Sequence, residues 1–122
     1  MDAKAIDQLL ESQRQYFLSG ATLPVEFRIA MLQRLRETVR RREPDISKAL
    51  TADLGKSGYE GYMCEIGLVL SELGYLIRHT RRFAKRRHVP TPLAQFAASS
   101  YLSPSPYGNV LIMSPWNYPL LL

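Results

Sequence analysis

The sequence predicts a fragment of an α/β protein whose own 122 residues are mainly helical. Three observations carry that expectation. Apolar residues recur at spacings of three and four through the first two thirds of the chain, the period of helices that bury one face. Val110 to Met113 then gives a run of four apolar residues with no polar face, as in a strand covered on both sides within a parallel sheet. That strand has no second apolar run to lie beside it, and the closing Pro119-Leu-Leu-Leu122 carries no polar stop. The chain is therefore expected to be the N-terminal piece of a larger protein.

Residues 3 to 18 place Ile6, Leu9, Leu10, Gln13 and Phe17 along one side of a first helix, ended by Ser19-Gly20. Leu23-Pro24 restarts the chain, because proline is accepted in the first turn of a helix and Glu26 complements the positive end of the dipole. Val25, Ile29, Leu32, Leu35 and Val39 form the expected buried stripe. Arg34, Arg36, Arg40, Arg41 and Arg42 gather at the C-terminal end, where cations are favoured. Glu43-Pro44-Asp45 breaks the helix, and Ile46, Leu50 and Leu54, spaced by four, mark a short third helix stopped at Gly55.

The longest helix is expected from about Tyr62 to Arg87, with Ile66, Val69, Leu73, Leu76 or Ile77, and Phe83 along one face. Glu60 and Glu65 lie near its start and six Lys or Arg near its end, the polarity a helix dipole prefers. Gly67 and Gly74 share a side of this helix, so another element is expected to approach closely there. After His88 the composition shifts, with six of the eight prolines falling in residues 90–119. Val89-Pro-Thr-Pro92 reads as an extended linker, and Ala97 to Ser103 as a short edge strand stopped by Pro104 and Pro106. The resulting division is a helical region over 1–89, a linker with one short strand over 90–107, and the start of a further domain over 108–122.

Sixteen Lys and Arg against eleven Asp and Glu give a net charge of +5 and a pI near 9.6. Excess basicity can serve nucleic acid or acidic lipid. The charge is concentrated in Arg34–Arg42 and Arg78–Arg87, both on expected helices, where a solvated face is the plainer account. A single cysteine excludes an internal disulfide and a multi-cysteine zinc site, and fits a reducing compartment. Asp2, Lys4 and Asp7 leave no apolar core for a secretory signal, and no stretch reaches the length of a membrane span. A cytoplasmic location follows as the expectation.

The carboxyl end of the 109–113 strand is where an open α/β sheet would bind a ligand. There the chain meets Ser114 and Pro115, then Trp116, Asn117 and Tyr118, closed by Pro119; Asn117 carries the only amide side chain in the group. On chemistry alone two readings stand: a binding site, or a turn bracketed by prolines with Trp116 and Tyr118 as core cover. Elsewhere the sequence offers less. Lys56-Ser-Gly-Tyr-Glu-Gly61 lacks the spacing of either phosphate-loop signature and follows a helix rather than a strand. Cys64 lies within a helical pattern, and Glu65 beside it points about 100° away, so the two make no base and nucleophile pair. His79 and His88 have no partner at ligand spacing, and no metal site is expected.

Leu111-Ile-Met-Ser-Pro-Trp-Asn-Tyr-Pro119 resembles the Pro-Trp-Asn-Tyr/Phe-Pro segment of the aldehyde dehydrogenase superfamily, and Ala49-Leu-Thr-Ala-Asp-Leu-Gly-Lys56 is similar to its N-terminal helical region. The whole chain aligns in order with the start of that family, nearest to its class 3-like branch. The resemblance implies that the 97–103 strand belongs to a small oligomerisation sheet and that 109–113 is the first strand of a Rossmann-like NAD(P)-binding domain. It implies a homo-oligomeric enzyme that oxidises an aldehyde to a carboxylic acid with NAD or NADP, through a cysteine thiohemiacetal. Asn117 matches the asparagine that donates its side-chain N–H to the forming oxyanion. Met113, Ser114, Pro115 and Trp116 match positions near the nicotinamide end of the cofactor. The family's nucleophilic cysteine, general-base glutamate, glycine-rich segment and cofactor-binding lysine match nothing before Leu122, so the chain alone is expected to be inactive. The rival function is a small basic helical module that binds nucleic acid or acidic membrane, against which stands the absence of a recognised binding motif.

Overall fold

Asp2 opens the first helix by accepting a hydrogen bond from the Ala5 N–H at 2.8 Å, which satisfies one of the donors a helix start leaves free. The computed structural model describes residues 2–122. Its elements are α1 (Ala3–Leu18), α2 (Val25–Arg41), α3 (Glu43–Leu54), α4 (Gly58–Gly61), a π turn (Tyr62–Ile66), α5 (Gly67–Phe83), β1 (Arg87–Val89), a 3-10 turn (Leu93–Gln95) and β2 (Ser100–Leu102). The α1 boundaries are those read from its periodicity. Only Arg42 separates α2 from α3, because Pro44 falls in the first turn of α3, where a missing N–H leaves no bond unmade. Gly55 ends α3 in the left-handed region at φ 67°, and Ser57 caps α4 through the Glu60 N–H at 3.1 Å.

Val39, Leu50 and Ile66 form the core, with Ile46, Val69, Leu70 and Leu120 packed against it. It therefore sits where the end of α2, the middle of α3 and the π turn meet. Leu120 brings the C-terminal turn onto that same core. Along the rest of α2 the predicted stripe is only partly covered, and Leu35 remains half exposed. No residue of α1 is buried; it touches the later chain where the Asn109 amide donates to the Leu10 carbonyl at 3.2 Å. No helix of the described residues is long and apolar enough to cross a membrane.

Several expectations are corrected. The long helix ends at Phe83 rather than Arg87, and Arg87–Val89 instead pairs antiparallel with Ser100–Leu102 in the register Arg87↔Leu102, His88↔Tyr101, Val89↔Ser100. Val89 precedes a proline, which disfavours helical backbone there and leaves its amide free for a ladder. The Arg86 guanidinium lies 4.8 Å from the Tyr101 ring centroid and ties the ribbon together. The short strand is three residues, not the seven of 97–103. Gly67 is not approached by another element. A Cβ there would lie 3.0 Å from the Tyr62 carbonyl of its own π turn, whereas the close approach falls at buried Gly61, against Leu50 at 3.4 Å.

The largest difference concerns 109–113. These residues join no ladder among the described residues, and Val110, Leu111, Ile112 and Met113 are 68%, 84%, 78% and 84% exposed rather than buried on both sides. A parallel strand exists only by its neighbours' N–H and C=O groups, and none of the described residues offers them. The apolar run is left exposed and unpartnered.

Candidate functional site

The C-terminal turn is held to the helical body by two buried charges. Gly55 turns the chain out of α3, and the Thr51 hydroxyl then bonds the Lys56 carbonyl at 2.7 Å, which points the Lys56 side chain inward. Lys56 is 9% exposed and Glu65, on the π turn, 0%. Lys56 Nζ donates to Glu65 Oε1 at 2.5 Å and to the Asn117 carbonyl at 2.9 Å. Its ammonium also lies 4.2 Å from the Tyr118 ring centroid. The second carboxylate oxygen, Oε2, accepts from the Leu120 N–H at 2.9 Å. The buried pair thus grips the turn on both sides of Tyr118-Pro119.

The electrostatics agree with the geometry. The hydrogen bond to Glu65 raises the Lys56 pKa above the ordinary lysine value, outweighing the desolvation that would lower it. Lys56 therefore keeps its charge, as a buried ammonium does when a carboxylate and a carbonyl share it.

On the outer side of this turn, Met113, Ser114, Pro115, Trp116 and Asn117 come together with Leu54 around a shallow concavity. All five candidate site residues therefore share one surface. The wall is open, and Trp116 is 91% exposed. The Ser114 hydroxyl is occupied in donating to the Leu122 carbonyl at 2.5 Å, and Leu122 N–H closes the turn on the Tyr118 carbonyl at 3.1 Å. Asn117 has its backbone carbonyl fixed and its residue exposed, so its amide is free to meet a ligand.

The other residues weighed for chemistry lie apart from this wall. Cys64 is half-buried on the π turn, and its neighbour Glu65 is engaged by Lys56 and Leu120. His79 Nδ1 meets the Tyr75 carbonyl at 2.8 Å, and its ring stacks on Tyr75 at 4.1 Å. Among the described residues no group of three His, Cys, Asp or Glu could hold a metal ion. A wider groove where α1, α2 and the end of α5 meet residues 104–109, lined by Phe17, Phe27, Leu32, Phe83 and Pro106, is mostly apolar, with Arg28 the one charged residue among its described lining.

Lys56 and Glu65 are the functional neighbours that sequence reasoning missed. One signal was available: Glu65 stands four residues before Val69, on the flank of the buried stripe, where a carboxylate needs a partner. Nothing in the sequence identified that partner as Lys56, nor the turn that the two would share.

Comparison with known proteins bears on what this wall is. The family model for the aldehyde dehydrogenase family matches residues 1–122. The chain is 36% identical over 117 residues to a 4,4'-diaponeurosporen-aldehyde dehydrogenase of Staphylococcus aureus, covering 96% of the chain and 26% of that protein. It is 39% identical over 113 residues to aldehyde dehydrogenase family 3 member B1 of Bos taurus (93% and 24%). It is 38% identical over 115 residues to a dimeric NADP-preferring aldehyde dehydrogenase of Canis lupus familiaris (93% and 25%). A solved substrate-bound structure of Staphylococcus aureus AldH superimposes with a TM-score of 0.92 at 35% identity, over 98% of this chain and 26% of that one. The chain thus spans about a quarter of the length of these relatives.

Proposed function

The chain belongs to the aldehyde dehydrogenase family, and from that premise we propose that it forms the N-terminal part of an enzyme that oxidises an aldehyde to a carboxylic acid with NAD or NADP. The observation that carries the reading to specific residues is the turn at Asn117, whose backbone is fixed from within while its side faces an open wall. A neutral amide N–H carried on a held backbone suits a carbonyl oxygen that becomes an oxyanion, because it stabilises charge that appears only in the transition state. Asn117 is assigned that role.

Met113, Pro115 and Trp116 give the wall an apolar and aromatic surface, which suits the flat ring of a nicotinamide better than its phosphates. No glycine-rich nest adjoins them. Their contribution is therefore to seat the nicotinamide end of NAD or NADP, which when bound accepts the hydride. The nucleophilic cysteine that forms the thiohemiacetal, and the general base that serves it, are supplied by other parts of the enzyme. The isolated chain is inert. The β1–β2 ribbon, a two-stranded sheet with open edges, supports a homo-oligomer, and the single half-buried thiol suits a cytoplasmic setting.

Aldehyde-dependent reduction of NAD or NADP by the complete enzyme tests the reading. Turnover with an aliphatic or aromatic aldehyde is expected. A folded, complete protein that reduces neither nucleotide with either aldehyde class would refute it.

A further inference from the structure

We infer that Lys56 and Glu65 are positioning residues for Asn117, an inference that rests on the oxyanion reading of that asparagine. The two charges hydrogen-bond the turn at main-chain atoms, the Asn117 carbonyl and the Leu120 N–H, across sequence separations of 61 and 55 residues. The Asn117 carbonyl belongs to the planar peptide that follows its Cα, so fixing that carbonyl restricts ψ of Asn117 and with it the direction of the Cα–Cβ bond from which the amide projects. Tyr118 is pressed against the same ammonium, and Leu120 against the core, so the turn is held at Asn117, Tyr118 and Leu120.

A buried ion pair is a poor source of stability, because the desolvation of both charges offsets their attraction. What it supplies here is geometry. Each partner spends one bond on the other and its next bond on the turn. An exposed turn of this length would otherwise move on the nanosecond to microsecond scale. Displacing a reacting group by about 1 Å lowers a rate by roughly a hundredfold.

The test is a double-mutant cycle in the complete enzyme, with kcat, nucleotide affinity and the fraction of titratable active sites measured for each variant. Lys56→Met is expected to lower kcat by about tenfold to a hundredfold with nucleotide affinity retained. In an Asn117→Ala background the same change is expected to lower kcat no further. Should Lys56→Met alone fail to fold, Lys56→Met/Glu65→Gln takes its place, since it leaves no unpaired buried carboxylate and keeps an acceptor for the Leu120 N–H. A folded variant with unchanged kcat overturns the inference. So does a loss that simply adds to that of Asn117→Ala, which would leave the oxyanion role of Asn117 standing. If Asn117→Ala itself keeps full rate, the oxyanion reading falls, and the positioning role falls with it.

Discussion

Asn117 combines a carbonyl held at 2.9 Å by a buried ammonium with a side chain open to the wall. If its amide donates to the forming oxyanion, Asn117→Ala lowers kcat of the complete enzyme by about a hundredfold to a thousandfold, the usual effect of losing one such donor. Asn117→Asp should be at least as damaging, because a carboxylate replaces the donor with a charge that repels the oxyanion. A structural turn predicts the reverse order, since aspartate tolerates turn angles nearly as well as asparagine. Steady-state kinetics on the two variants decides between them. Lys56 gives a second expectation. Its folded pKa lies above the unfolded value of about 10.4, so its contribution to stability is complete below that value and is lost as pH rises through the raised one. Thermal melts from neutral to strongly alkaline pH should show a steeper fall in Tm for the native pair than for Lys56→Met/Glu65→Gln. Parallel curves would contradict it.

Among the elements, the helices were the legible part. The stripe of α1, the proline at the start of α3 and the glycine at its end each specify a local conformation without help from distant residues. The π turn was not legible, because its five residues have no composition of their own and differ from an α turn in the backbone bond, which runs to i−5 rather than i−4. Gly67 is its mark. Its N–H bonds the Tyr62 carbonyl, and a Cβ at Gly67 would stand 3.0 Å from that same oxygen and 3.4 Å from the Tyr62 ring. Alanine gains about 1 kcal/mol of helix propensity over glycine, but crowding a tight site costs about 1–3 kcal/mol, and the oxygen cannot retreat without losing its bond. Gly67→Ala should therefore lower stability by about 1 kcal/mol net, measured by denaturant melts; a gain would mean that the π turn relaxes to an α turn at no cost. Strand β1 escaped the sequence for a different reason: Arg87-His-Val89 follows a helix rich in cations, and only its pairing with Ser100–Leu102 makes it a strand.

At the scale of the molecule, the candidate wall was legible through a short apolar and proline-bounded motif, while its support was not, because Lys56 and Glu65 act across separations that no local pattern records. The same scale explains the unpaired segment 109–113. Its residues have the composition of a strand buried on both sides, yet in this chain Leu111 and Met113 are each 84% exposed. An exposed apolar run that joins no ladder is a template for pairing with another chain. The isolated 122-residue chain should therefore fold as mainly helix and self-associate, with an apparent mass in light scattering that rises with concentration. Ile112→Lys should suppress that rise by placing a charge in the pairing segment without touching the core of Val39, Leu50 and Ile66. Neither form should reduce NAD or NADP with an aldehyde, and Cys64→Ser should change nothing beyond packing. A compact monomer at high concentration, with the amides of 110–113 protected from exchange, would show that the segment finds its partner within the chain and that the sheet needs no other source of strands.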